Sequence, residues 1–186
     1  NDPLVIAGQG SIGLEILDQL WDVDTVIVPV GGGGLITGIA TVLKHFNPYI
    51  HIVGVQSENV HGMTASLQAG KLTRQCTGPT LADGTAVAMP GDITFGLAEE
   101  LVDEMVLVSE EEIAEAMKDL LQRTKTVAEG AGALPTAALE AHKIAPQWLA
   151  GKKVVALVSG GNVDLERVAD NIDHFFKSDP TGHFIG

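Results

Sequence analysis

Residues 25–46 read TVIVPVGGGGLITGIATVLKHF. The first six, TVIVPV, are β-branched and apolar on both faces, the pattern of a strand buried inside a parallel sheet. Four consecutive glycines, Gly31 to Gly34, follow. In LITGIATVLKHF, Ile36, Ile39, Ala40 and Leu43 then recur at the i, i+3, i+4, i+7 spacing of a helix with one apolar stripe. HIVGVQ at 51–56 is a second apolar strand and completes a strand–helix–strand unit.

The alternation extends in both directions. Upstream, Ile12, Ile16, Leu17 and Leu20 form another helical stripe. Downstream, 94–102 reads as helix and EMVLVS, 104–109, as strand. Ser109 with Glu112 three residues on is a capping box, in which each side chain satisfies a backbone N–H that the helix leaves orphaned. It predicts a helix to about Arg123. Residues 129–142 are Ala-rich and helical in pattern, with Pro135 tolerated as a first-turn residue. KVVALV, 153–158, is a further strand, then SGGN, a helix from about Asp164, and a polar tail ending SDPTGHFIG. This order predicts an α/β fold: a mostly parallel sheet with helices on both faces.

Composition narrows the function classes. The chain has 186 residues, 45% of them hydrophobic, enough for one domain or a large part of one. No stretch approaches the roughly 18 consecutive apolar residues of a membrane span. A net charge of −13 with only Arg74, Arg123 and Arg167 as arginines argues against a nucleic-acid surface, which needs clustered cations. The single cysteine, Cys76, has no internal disulfide partner, which favours a reducing, cytoplasmic setting. The start, NDPLVIAGQG, lacks the basic and apolar regions of a signal peptide and also lacks a Met, so a piece of a longer protein is expected.

Ligands of parallel sheets bind outside the carboxyl ends of the strands, where two glycine-rich turns fall here: Gly31–Gly34 and Ser159-Gly160-Gly161. Consecutive residues without Cβ let a backbone approach a ligand and aim several N–H groups at it, and the following helix adds its positive end. A tight turn would need one or two glycines; four favour a phosphate. No GK[ST] follows, which excludes a P-loop, and Thr37 stands where a dinucleotide fingerprint wants its third glycine, although Glu58 could imitate the ribose-binding acid. Ser159 is not in a nucleophile elbow, since Leu157 replaces the first glycine, and only His174 and His183 lie downstream as triad partners. Its hydroxyl either bonds something in the crevice or caps the next helix. Glu129 is either a surface partner of its helix dipole or a ligand contact. Asp83-Gly84 reads as a turn, Cys76 as a passive loop residue, and the histidines show no metal-ligand spacing, so no metal site is expected.

Taken in order, DPLVIAGQGSIGLEIL, VIVPVGGGGLITGIA, GVQSENVHGM, TLADGTAV, VAEGAGA and VALVSGGNVDL resemble the threonine dehydratase and serine racemase family. The resemblance covers about residues 2–170, and QSENVHGM is most similar to the short, catabolic dehydratase type. It implies the tryptophan synthase β-type fold (fold type II) and a pyridoxal 5'-phosphate cofactor. The implied reaction is β-elimination of L-threonine or L-serine, a small amino-acid substrate, to 2-oxobutanoate or pyruvate plus ammonia. Gly31, Gly32, Gly33 and Gly34 would bind the cofactor phosphate, Ser159 the pyridine nitrogen, and Glu129 would lie near the ring. Ala82 to Gly84 would lie beside the substrate, and Asn162 matches a position that contributes in some relatives to a nucleotide effector site at a subunit interface. The divalent site of some serine racemases wants acids where Gln56 and Gly62 stand.

The family's Schiff-base lysine sits in an S-F-K-x-R-G motif that none of the eight lysines matches, and the S-x-G-N-H substrate loop is also missing. The chain is therefore expected to be the C-terminal part of the cofactor-binding catalytic domain over residues 1–176, with a tail at 177–186. Alone it is expected to be inactive, and to associate with a missing N-terminal half or as a homo-oligomer. Serine racemisation, and a non-catalytic ligand-binding or assembly role, are the alternative readings.

Overall fold

The strand expected at 25–30 forms β1, Thr25–Pro29, in a computed structural model that describes residues 1–164. All of β1 is buried. It pairs in parallel with β2, His51–Ser57, on one side and with β4, Val154–Ala156, on the other. The outer edge of β2 pairs in parallel with β3, Glu104–Val108, which gives the order β3-β2-β1-β4. The chain steps outward from β1 to β2 to β3 and then returns to place β4 on the free side of β1. The order thus reverses between β1 and β4, and a crevice opens at the carboxyl ends of strands where such a reversal occurs.

Helices cover both faces, as the alternating order requires. Ile27, Val53 and Val55 point towards α5, Glu110–Asp119, and α6, Gly130–Glu140, and join Ile113, Ala116 and Leu134 in one core. Their neighbours along the strands, Val26, Val28 and Ile52, point the other way. There they meet α1, Pro3–Gln19, and α2, Gly34–Phe46. Met63 of α3, Gly62–Ala69, and Ala98 of α4, Asp92–Leu101, close the same core. The stripe Ile36, Ile39, Ala40 and Leu43 is fully buried, and the Ser109–Glu112 capping box forms at the start of α5.

Several elements differ from expectation. α1 begins at Pro3, capped by Asp2, and its buried line is Ile6, Gly10, Gly13 and Ile16, so only Ile16 of the expected stripe is buried. Small residues line that face because α1 and α2 nearly touch: a Cβ on Gly38 would strike the carbonyl of Ile6. Pro135 stands in the middle of α6 rather than in its first turn, leaving the Ala131 carbonyl without an i+4 donor. The helix expected to reach Arg123 ends at Asp119 and widens into a π turn over Leu120–Thr124. The Leu120 carbonyl there takes the amides of Lys125 and Thr126. β4 is shorter than 153–158, since it pairs with β1 only from Val154 to Ala156; it is one edge of the sheet among the described residues, and its side chains are only half-buried. The sequence pattern gave no sign of α3. The expected helix from Asp164, the boundary at 176 and the tail lie outside the described residues. No helix among the described residues is long and apolar enough to cross a membrane.

On the outer side of α5 and α6, Glu140 faces Asp119 and Glu115. Burial, reinforced by the charge of Asp119, holds its carboxyl above the ordinary glutamate range. A carboxyl raised in the folded state is no liability below its unfolded value of about 4.3, and it destabilises once pH rises through the folded value. Glu140→Gln should therefore raise the thermal midpoint at pH 7, with the gain vanishing near pH 4. Gly38→Ala should cost about 1–3 kcal/mol by forcing α1 and α2 apart. Gly8→Ala in the interior of α1, where a Cβ meets nothing within 4 Å, should instead stabilise by about 0.4–1 kcal/mol. Denaturant titration of the two glycine variants separates the cases.

Candidate functional site

The end of β1 is fixed by a buried amide. Gln56 donates from Nε2 to the carbonyl of Val30 at 3.1 Å, while its Oε1 accepts the backbone N–H and the hydroxyl of Thr64, each at 2.9 Å. That links the last residue before the glycine loop to α3. Gly31 lies against Thr85, where an added Cβ would stand 3.1 Å from its Cα. Gly33 is the N-cap of α2 at φ +96°, in the left-handed region, and an added Cβ would collide with Met63 and crowd Thr94. Gly32 and Gly34 differ: a Cβ on Gly34 meets nothing within 4 Å, and on Gly32 only Val87 at 3.9 Å.

The open side of this loop is one wall of a cleft of about 220 Å³. Gly31 to Gly34 and Leu35 form that wall, with Gly84, Thr85, Glu129, Ala131 and Ser159 around the rest. It lies at the carboxyl ends of β1 and β4, where the strand order reverses. Gly84 and Thr85 belong to a 3-10 turn, Asp83–Thr85, which Glu110 helps to place. One Glu110 carboxylate oxygen accepts the Leu81 N–H at 2.6 Å, and the other accepts the Ser57 hydroxyl at 2.6 Å. Glu129 is the N-cap of α6, and its backbone N–H donates to the Gly160 carbonyl at 3.1 Å, docking the Ser159 turn onto α6. Its carboxylate lies between Gly84 and Gly160, since a Cβ at either position would press on Oε1.

Seven expected site residues, Gly31 to Gly34, Gly84, Glu129 and Ser159, thus share one cleft. Ala82 does not line it. Its side chain is fully buried in the core beneath α5 and α6, so only its carbonyl, which accepts the Thr85 hydroxyl at 2.8 Å, acts on the neighbouring turn. Asn162 is exposed on the coil after β4, outside the cleft wall. Cys76 is free and exposed, and Glu58 is exposed on a turn. Among the described residues no lysine lines the cleft and no cluster of potential metal ligands occurs. Sequence reasoning misses Gln56, Glu110 and Thr94; a polar residue ending an apolar strand is the one available signal, at Gln56.

The N–H groups of Gly34, Leu35 and Ile36 open α2 and have no carbonyl within the helix to accept them. The positive end of α2 acts with them, and the absent side chains of Gly32 and Gly34 leave the room that a ligand oxygen needs. The cradle fits a phosphate. A parallel α/β sheet with an amide-lined cradle at its switch point, beside one carboxylate and one hydroxyl, is an arrangement suited to holding a phosphorylated ligand by backbone.

Residues 1–160 match the family described as "Pyridoxal-phosphate dependent enzyme". The chain belongs to that family. It is 63% identical over 174 residues, 94% of its own length, to the catabolic L-threonine dehydratase TdcB of Staphylococcus aureus, and it spans 50% of that protein. Its fold is similar to the processed form of threonine deaminase isoform 2 from Solanum lycopersicum (TM-score 0.83, 40% identity, 92% of this chain and 50% of that one). It is also similar to maize serine racemase (TM-score 0.85, 35% identity, 94% and 54%). The chain spans about half the length of the curated relatives it matches.

The cradle makes two glycines behave oppositely. Gly33→Ala should lower stability by about 1–3 kcal/mol, through the left-handed backbone and the clash with Met63 and Thr94. Gly34→Ala should keep the thermal midpoint but weaken the binding of inorganic phosphate, because its methyl enters the cleft. Thermal unfolding beside a phosphate titration checks both.

Proposed function

We propose that the cleft holds pyridoxal 5'-phosphate and that the intact protein, of which this chain is a part, eliminates the β-hydroxyl from L-threonine or L-serine. The products are 2-oxobutanoate or pyruvate, with ammonia. The reading is carried by the convergence of the glycine amides, Glu129 and Ser159 in one cleft. The 63% identity to a catabolic L-threonine dehydratase supports the choice of substrate. When bound, the cofactor supplies the electron sink that lets an amino acid lose its α-proton.

This chain's own residues bind and orient. The amides of Gly31 to Gly34 and the first turn of α2 hold the phosphate. The Ser159 hydroxyl would hydrogen-bond the pyridine nitrogen, which it would polarise less than a carboxylate does. Glu129, fixed between Gly84 and Gly160, borders the ring and the amino acid, and the 82–84 turn closes the substrate side. The base for the α-proton and the Schiff-base lysine come from outside the described residues, in the half of the protein that the relatives possess beyond this match. The site works in a homo-oligomer in the cytoplasm, with residues 1–176 as the catalytic-domain portion and Asn162 at a subunit interface where a nucleotide effector binds. Likeness to maize serine racemase at a TM-score of 0.85 favours a second reading, racemisation of serine. An assay for D-serine against keto acid decides between the two.

Ser159→Ala in the intact enzyme should lower turnover by roughly tenfold, the size of one lost hydrogen bond, while phosphate binding persists. Unchanged turnover would remove Ser159 from the mechanism. Treating the 186-residue chain with pyridoxal phosphate and borohydride should leave no single modified lysine by peptide mass. One dominant site in the chain would overturn the placement of the Schiff-base lysine elsewhere.

A further inference from the structure

We infer that Thr94 is a positioning residue for the anion cradle: it sets the direction of the Gly33 amide. The inference rests on the reading of Gly31 to Gly34 as a phosphate cradle. Thr94 lies on α4, 62 residues along the chain from Gly32, and is 1% exposed. Its hydroxyl donates to the Gly32 carbonyl at 2.6 Å. The Gly91 carbonyl is also near, at 3.2 Å, but it already accepts the Phe95 N–H at 2.9 Å. A hydroxyl has one proton to give, and the shorter contact takes it.

Thr94 does not line the cleft; it stands behind the loop. The Gly32 carbonyl that it holds is therefore turned away from the ligand side. A peptide unit is planar and trans, so its N–H points opposite to its carbonyl. Fixing the Gly32 oxygen on Thr94 thus aims the Gly33 N–H into the cleft. A peptide between two glycines has little steric preference of its own and turns over easily. Reversed, it would present a carbonyl oxygen to an anion and abolish one arm of the cradle. Thr94 also crowds the Cβ position of Gly33 from behind, so packing and hydrogen bond favour the same orientation.

The test compares the unaltered 186-residue chain with Thr94→Val, which keeps the shape and loses the donor, and Thr94→Ser, which keeps the donor. Each is titrated with pyridoxine 5'-phosphate, which has no aldehyde to react with lysines, and with pyridoxine. Thr94→Val should bind the phosphate ester roughly tenfold more weakly, the effect of one hydrogen bond to an anion. Thr94→Ser should match the unaltered chain, and pyridoxine should not distinguish the three. In the unaltered chain, inorganic phosphate should shift the Gly33 amide proton in a two-dimensional NMR spectrum, a readout that does not depend on any variant folding. Equal affinity of Thr94→Val for the ester, equal weakening of both ligands, or a Gly33 amide that stays still while its neighbours move would each overturn the inference. Failure of the unaltered chain to bind either phosphate compound would overturn the cradle itself and this role with it.

Discussion

Parallel pairing on both sides of β1 is the constraint from which the rest of the site follows. The register joins Thr25 to His51 on one side and to Val154 on the other, so the strand has no freedom to slide. A slip of one residue would send Ile27 to the wrong face and Val26 and Val28 to the other. The carboxyl end of β1 is thereby fixed in space, and with it the first glycine of the loop. β4 brings Ser159 to the same end from the opposite side, and α6 brings Glu129 between them. A cleft at the switch point is thus a consequence of strand order before any side chain in it is chosen.

Polar side chains, buried at Gln56 and half-buried at Glu110, carry that precision from the strands to the loops. Gln56 is fully buried, and the hydrogen bonds of its side-chain amide go to Val30 and Thr64. Glu110 joins the end of β2 to the segment that carries Gly84. An unsatisfied amide or carboxylate in these places would cost more than a lost contact, so each works as a tie with one acceptable geometry. An acid at the Gln56 position would lack the protons that its Nε2 now gives to Val30. The neutral amide is there to hold the loop.

The strands, the α2 stripe and the capping box are legible because each is written locally: an apolar run, a 3.6-residue period, a Ser and a Glu three apart. The glycine loop is legible because four residues without side chains have no ordinary use in a turn. The contact face of α1 is not, because stripe counting weighs side chains and that face is made of Gly10 and Gly13. Propensity alone puts Pro135 in a first turn, and the burial of α6 overrides that preference. The resemblance places the whole 82–84 turn beside the substrate without distinguishing its residues, and only the direction of the Ala82 Cβ, into the core, shows that this residue acts through its backbone. Thr94 and Glu110 act on partners 62 and 29 residues away, and no periodicity encodes such pairings.

The charge of the chain sharpens what the cleft selects. Among the described residues no lysine or arginine lines it, and the molecule as a whole carries −13. Bulk attraction of anions is therefore absent, and the distant negative charges are largely screened beyond about 8 Å at physiological ionic strength. What remains is short-range: amides that open α2 on one wall, and the carboxylate of Glu129 across from them among Gly84 and Gly160. A small dianion free to tumble would gain from the first and be repelled by the second. A ligand with phosphate at one end and a hydrogen-bonding or cationic group at the other satisfies both walls at once, and in one orientation only. A cleft built this way discriminates by polarity along a ligand rather than by net charge.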